Sequence, residues 1–125
     1  MTRDVIQGAD GDFVIPLERF VCSDVGHFPN QVIVRREGSE ETARISGKGL
    51  DDVIPGLVQL KARIVRAVAT TDSTLRIDFD GADSVEVPAD PDVEAWEIRG
   101  PGPVTVIGLP GGGEPLILLT ERRDT

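Results

Sequence analysis

The stretch "TLRIDFDGADSVEVP", residues 74–88, constrains this chain more than any other. Leu75, Ile77 and Phe79 alternate with Arg76, Asp78 and Asp80. A period of two is the mark of a half-buried strand, because successive side chains point to opposite faces. "DGAD" supplies turn residues, and Val85 and Val87 then alternate with Glu86. The pattern predicts a β-hairpin with its valines turned inward and Glu86 turned out.

The rest of the chain repeats the theme of short β-branched runs between turn residues. "FVIPLERFVCSDV" predicts one or two strands interrupted near Pro16. "GHFPN" reads as a turn, and "QVIVRRE" and "TARIS" as strands flanking an "EGSE" hairpin turn. Residues 51–70 are ambiguous between helix and strand. The reading adopted is a short helix over about 51–60, started by Asp51 or Asp52 ahead of Pro55, then a strand over about 62–70. "VEAWEIR", "VTVIGL" and "PLILLTE" predict three more strands. The last two are nearly continuous apolar runs, which places them centrally with both faces buried. The expected fold is mainly β: an antiparallel sheet of six to eight strands, rolled into a barrel or sandwich, with one short helix. At 125 residues this is one domain. Residues 1–12 are expected to fray, and 121–125 to form a polar tail.

With one Trp, four Phe and no Tyr, the core must be mostly Val, Ile and Leu. No run is long and apolar enough to span a membrane. One cysteine, Cys22, permits no internal disulfide, which fits a reducing cytoplasm. The N-terminus carries no apolar signal core.

The net charge of −9 is unevenly placed. Residues 77–97 carry eight acids and no base, while 1–76 hold eleven acids and ten bases and 98–125 hold three of each. Such a block repels phosphate backbones and anionic lipid and attracts a basic partner. The competing reading is a solvated surface that keeps the protein soluble.

No motif for catalysis stands out. The "GPG" and "PGGG" segments of residues 100–113 lack the Lys-Ser/Thr of a phosphate loop, and a strand rather than a helix follows them. They read as hairpin turns. "CSDVGH" brings Cys22, Asp24 and His27 close in sequence, but Cys22 sits in an apolar run and His27 in a turn. One Cys and one His cannot build a zinc site of the usual kind. "DFDGAD" fails as a calcium loop because a strand follows it. Paired carboxylates are plentiful, yet spacing alone does not bring two into one cleft. No cofactor or metal is expected. Trp96 shares a predicted strand face with Glu94 and Ile98. It reads first as a core residue whose indole N–H meets a carbonyl, and second as an interface anchor.

Residues 50–119 resemble a family of small, uncharacterised bacterial proteins. The resemblance rests on Phe79, Asp80 and Gly81, on "EAWE" at 94–97, and on Pro110, Gly111 and Gly112 before a final apolar strand. It carries no activity and no catalytic residues. Small acidic bacterial proteins that act as immunity proteins against secreted toxins provide an analogy. The expected function is therefore non-enzymatic binding of a basic protein, such as a toxin or nuclease. Its expected binding residues are Asp78, Asp80, Asp83, Glu86, Asp90 and Asp92, with Trp96 as anchor. A small-ligand pocket around Trp96, a structural domain of uncharacterised function and an enzyme using clustered carboxylates are the alternatives.

Overall fold

Among the described residues, eleven antiparallel strands form one sheet that curls on itself without closing into a barrel. The computed structural model describes residues 5–8, 10–26 and 31–119. In chain order the strands are β1 (Ile6–Gln7), β2 (Phe13–Ile15), β3 (Phe20–Val25), β4 (Gln31–Arg36) and β5 (Thr42–Gly47). A 3-10 turn (Leu50–Asp52) and helix α1 (Ile54–Leu60) follow. Then come β6 (Arg63–Ala69), β7 (Leu75–Asp80), β8 (Ala82–Val87), β9 (Trp96–Arg99), β10 (Val104–Ile107) and β11 (Leu116–Leu119).

The sheet has two arms. One runs β3-β4-β5-β9-β10-β11, and the other holds β1, β2, β6, β7 and β8. They join where β6 meets β2 and β3 along one edge, through Val14↔Val68 and Val21↔Arg63. Pro16 lies between β2 and β3, so the interruption expected there is where the chain passes from one arm to the other. Three irregularities sharpen the curl. Ser23 in β3 and Val65 in β6 are extra residues with no cross-strand partner, and Asp83 and Ser84 together oppose Asp78. Each is a bulge, which bends its strand and increases local twist.

Inside the curl lies a single core built largely of Ile, Val and Leu, with Phe20 and Trp96 as its largest members. Helix α1 sets Ile54 and Leu57 into that core and packs mainly on β3. Its start differs from expectation. Asp51 and Asp52 lie in the 3-10 turn, Val53 stands at the N-cap without a side-chain cap, and Pro55 is the second helical residue. The buried Leu50 anchors that turn by accepting the Val53 N–H at 3.0 Å, so no acid has to cap the helix.

Other expectations are also revised. Eleven strands replace six to eight, because both pieces of 13–25 and the short β1 join the sheet. Ile6 and Gln7, in the segment expected to fray, pair with Val14 and Phe13. The expected "GHFPN" turn and the polar tail fall largely outside the described residues. The "DGAD" turn contracts to Gly81 alone, with φ 80°. "VEAWEIR" becomes a strand only from Trp96, since the Ala95 carbonyl accepts the Lys48 N–H instead of a ladder partner. β11 is an edge strand and is not central. Leu116 and Leu118 are 39% and 43% exposed, while Ile117 packs against the core. A continuous apolar run therefore marked an edge with one wet face, and not two-sided burial.

Cys22 is fully buried in β3. Desolvation pushes its thiol up to about 11 from an ordinary 9.0, because the thiolate would lose its hydration. A raised folded pKa contributes stability that is complete below the unfolded pKa and is lost as pH climbs to the folded one. Between those two values stability at this group falls by up to about 1.4 kcal/mol per pH unit. Urea unfolding across that alkaline window should show the decline in the wild type and a flatter profile in Cys22→Ala. Equal slopes would show that the thiol ionises as freely in the folded chain.

Candidate functional site

The hairpin β7–β8 is built as its alternation dictates. Leu75, Ile77 and Val87 are buried, and Arg76, Asp80 and Glu86 face solvent. The acids of this face do not stand alone. β6 lies beside β7 in a register that sets Arg63 opposite Asp80 and Arg66 opposite Asp78. Arg63 bridges Asp80 at 2.6 Å and Glu37 at 3.4 Å, and both bonds hold its guanidinium above its usual pKa. Arg76 reaches Asp78 at 3.2 Å and Glu86 at 3.9 Å. The Ser84 hydroxyl donates to Asp78 at 2.6 Å. That bond, aided by Arg76, holds Asp78 below the usual carboxylate range.

Asp90 has a different task. Its carboxylate accepts the backbone N–H of Asp92 at 2.8 Å and of Val93 at 3.2 Å, which shapes the connection between β8 and β9. Its carbonyl accepts the Gly111 N–H at 2.9 Å, and Lys48 pairs with its side chain. Lys48 and the backbone amides depress its pKa. For Asp78 and Asp90 the sign is the usual carboxylate one: the stabilisation exists above the ordinary pKa and is lost as pH falls through the depressed one.

Trp96 is core. It is 2% exposed, so as an interface anchor it is ruled out by burial. Its Nε1–H donates to the Ser73 carbonyl at 2.8 Å, which is the carbonyl partner expected of a core tryptophan. Ser73 is itself fully buried in the turn between β6 and β7. Its hydroxyl donates to the Gly113 carbonyl and accepts the Leu109 N–H at 3.1 Å. One serine thus ties that turn to the β9–β10–β11 meander. The two glycine-rich segments are the corners of that meander. Gly100, Gly102, Gly111 and Gly112 all adopt left-handed φ between 73° and 83°, which a side chain would strain.

Of the seven expected binding residues, Trp96 is internal, Asp90 holds a loop, and Asp78 and Asp80 are engaged by Ser84, Arg76 and Arg63. Asp83, Glu86 and Asp92 remain exposed. Neither Asp83 nor Asp92 makes an ion pair among the described residues, and Glu86 makes only the long one to Arg76. Glu94 is exposed. Sequence reasoning missed Arg63 and Arg66, whose positions beside the acids depend on the β6–β7 register, and Ser73, which sits in a polar run with no sign of burial. No group of three or more His, Cys, Asp or Glu side chains converges among the described residues. Cys22 has no exposed thiol, and His27 lies outside the described residues.

No curated protein and no solved structure matches this chain. A match to a family does exist, over residues 29–114, which takes in everything from the strand β4 to the corner before β11. The chain belongs to the family of unknown function DUF6188.

Proposed function

We propose that this chain is a non-enzymatic protein-binding module that docks a basic protein along the edge of β8. One observation carries the reading: among the described residues β8 pairs only with β7, and its other edge bears exposed Asp83 and Glu86 and leads into exposed Asp92. An open strand edge offers backbone donors and acceptors to an incoming strand. Acids along it favour a cationic partner and raise its encounter rate. Acidic immunity proteins against secreted toxins or nucleases are the concrete class this reading points to, by analogy.

Two further points support binding over the alternatives. Asp72, Asp78 and Asp90 have lowered pKa values, whereas a general acid needs a raised one. Trp96 is 2% exposed, so its indole offers a small ligand no open face.

The test is capture from the native cell by wild type and by the Asp83→Asn/Glu86→Gln/Asp92→Asn variant. A basic protein should be retained at low salt and released as salt rises. The variant should associate about tenfold more slowly. Equal association rates and equal salt dependence would remove the acidic edge from the mechanism.

A further inference from the structure

The opposite arm of the sheet sets two arginines side by side. Arg44 of β5 and Arg99 of β9 are directly opposed, and their neighbours Ile45 and Ile98 are buried as a pair. Both arginines therefore project from the outer face, with Cβ atoms about 5 Å apart. Thr105 of β10 stands opposite Arg99 on the other side and shares that face. Thr42, two residues before Arg44, shares it as well.

Like charges directly opposed across strands destabilise the sheet. This chain has 22 acids and 13 bases, so carboxylates to neutralise the pair are abundant. Arg99 takes one, Glu97 on its own strand. Arg44 takes none among the described residues, and its only side-chain partner is the neutral Gln31 Oε1 at 3.4 Å. Beside the two guanidiniums lies an open groove of about 350 Å³. Its walls are Thr42, Arg44, Arg99, Thr105 and residues of the turn before β10, with no acid among them, and Glu97, bonded to Arg99, borders the adjoining hollow that both arginines also line. Gly100 in that turn passes so close to β5 that a Cβ there would lie 3.1 Å from the Thr42 carbonyl. The groove's far wall is thus held against the near one by backbone packing.

We propose that this groove binds a small phosphoryl-bearing molecule. Arg44 and Arg99 would supply forked N–H donors, and the Thr42 and Thr105 hydroxyls would complete a tetrahedral oxyanion shell. A dianion neutralises two guanidiniums at once, which a single carboxylate does not, and guanidinium–phosphate bonds are charge-assisted and frequently bidentate. The acidic balance of the rest of the chain argues for a small molecule over a nucleic acid, whose long backbone would meet repulsion elsewhere. The site is independent of the β8 edge, and each stands or falls alone.

Inorganic phosphate is the probe. Titrated into the full chain near neutral pH, it should raise the melting temperature saturably, beyond chloride at matched ionic strength. Backbone amide shifts should concentrate at Thr42–Arg44 and Arg99–Thr105. Arg44→Gln and Arg99→Gln should each weaken phosphate by about tenfold or more, while Arg66→Gln on β6 should leave it unchanged. Arg44→Gln should also melt higher than wild type without phosphate, because it removes the repulsion. A phosphate response matched by chloride, absent altogether, or retained in both groove variants would overturn the proposal.

Discussion

Trp96→Ala is expected to lower the unfolding free energy by about 3–5 kcal/mol, the usual cost of emptying a large aromatic from a core. Two effects add here. The indole is the largest fully buried side chain, and its removal leaves a cavity beneath the β9–β10–β11 meander. The Ser73 carbonyl also loses the 2.8 Å bond from the indole N–H. A buried carbonyl without a donor is penalised by its own desolvation. Chemical denaturation followed by circular dichroism would measure the loss. In the wild type, fluorescence reports the same region, because Trp96 is the sole tryptophan and there is no tyrosine. Its emission should shift to the red in a single step with the loss of β-structure. A variant within about 1 kcal/mol of wild type would mean that the site collapses around the missing ring.

Gly108→Ala should be the second most damaging change, at about 1–3 kcal/mol for forcing a methyl group into a filled site. The new Cβ would meet Trp96 Nε1 at 2.3 Å, Cε2 at 2.5 Å and Cδ1 at 2.8 Å. These are atoms of a rigid, buried ring that cannot swing aside as a flexible chain end could. The backbone of β10 must move, or the indole must tip and release Ser73. Gly108 N–H also donates to the Trp96 carbonyl at 3.0 Å, so backbone movement strains that bond too. In a Trp96→Phe background the same substitution should cost less, because the five-membered ring it strikes is gone. A double-mutant cycle between the two positions should therefore show coupling. Additive costs would place the strain elsewhere.

The alternation in 74–88 was legible because one face of β7 and β8 meets the core and the other meets water. The turns at 100–103 and 110–113 were legible because glycine and proline are punctuated by backbone geometry. What could not be read was anything that depends on register between distant strands. Arg63 and Asp80 are seventeen residues apart, and no local pattern sets them opposite each other. The acidic block therefore looked like a bare anionic face, when β6 lays Arg63 beside Asp80 and Arg66 beside Asp78. Ser73 shows the same limit in the core. "TTDST" has the composition of a solvated turn, yet its fourth residue is wholly buried because the meander folds over it. β11 misled in the other direction. Ile117 faces inward while Leu116 and Leu118 are left outside, and composition alone does not reveal where a sheet ends.

The seam between β5 and β9 has a kinetic meaning. Seven of the strand pairings join neighbours in the chain: β1–β2, β3–β4, β4–β5, β6–β7, β7–β8, β9–β10 and β10–β11. By contrast, Gly47↔Trp96 and Phe13↔Ala69 join residues roughly fifty positions apart. The chain leaves the meander after β5, builds α1 and the β6–β7–β8 arm, and returns beside the point it left. Closing such long loops loses entropy before any contact repays it, and that slows folding. The rate-limiting search in this molecule is accordingly concentrated at two seams. The tryptophan that marks one of them is also the residue whose fluorescence would time its closure.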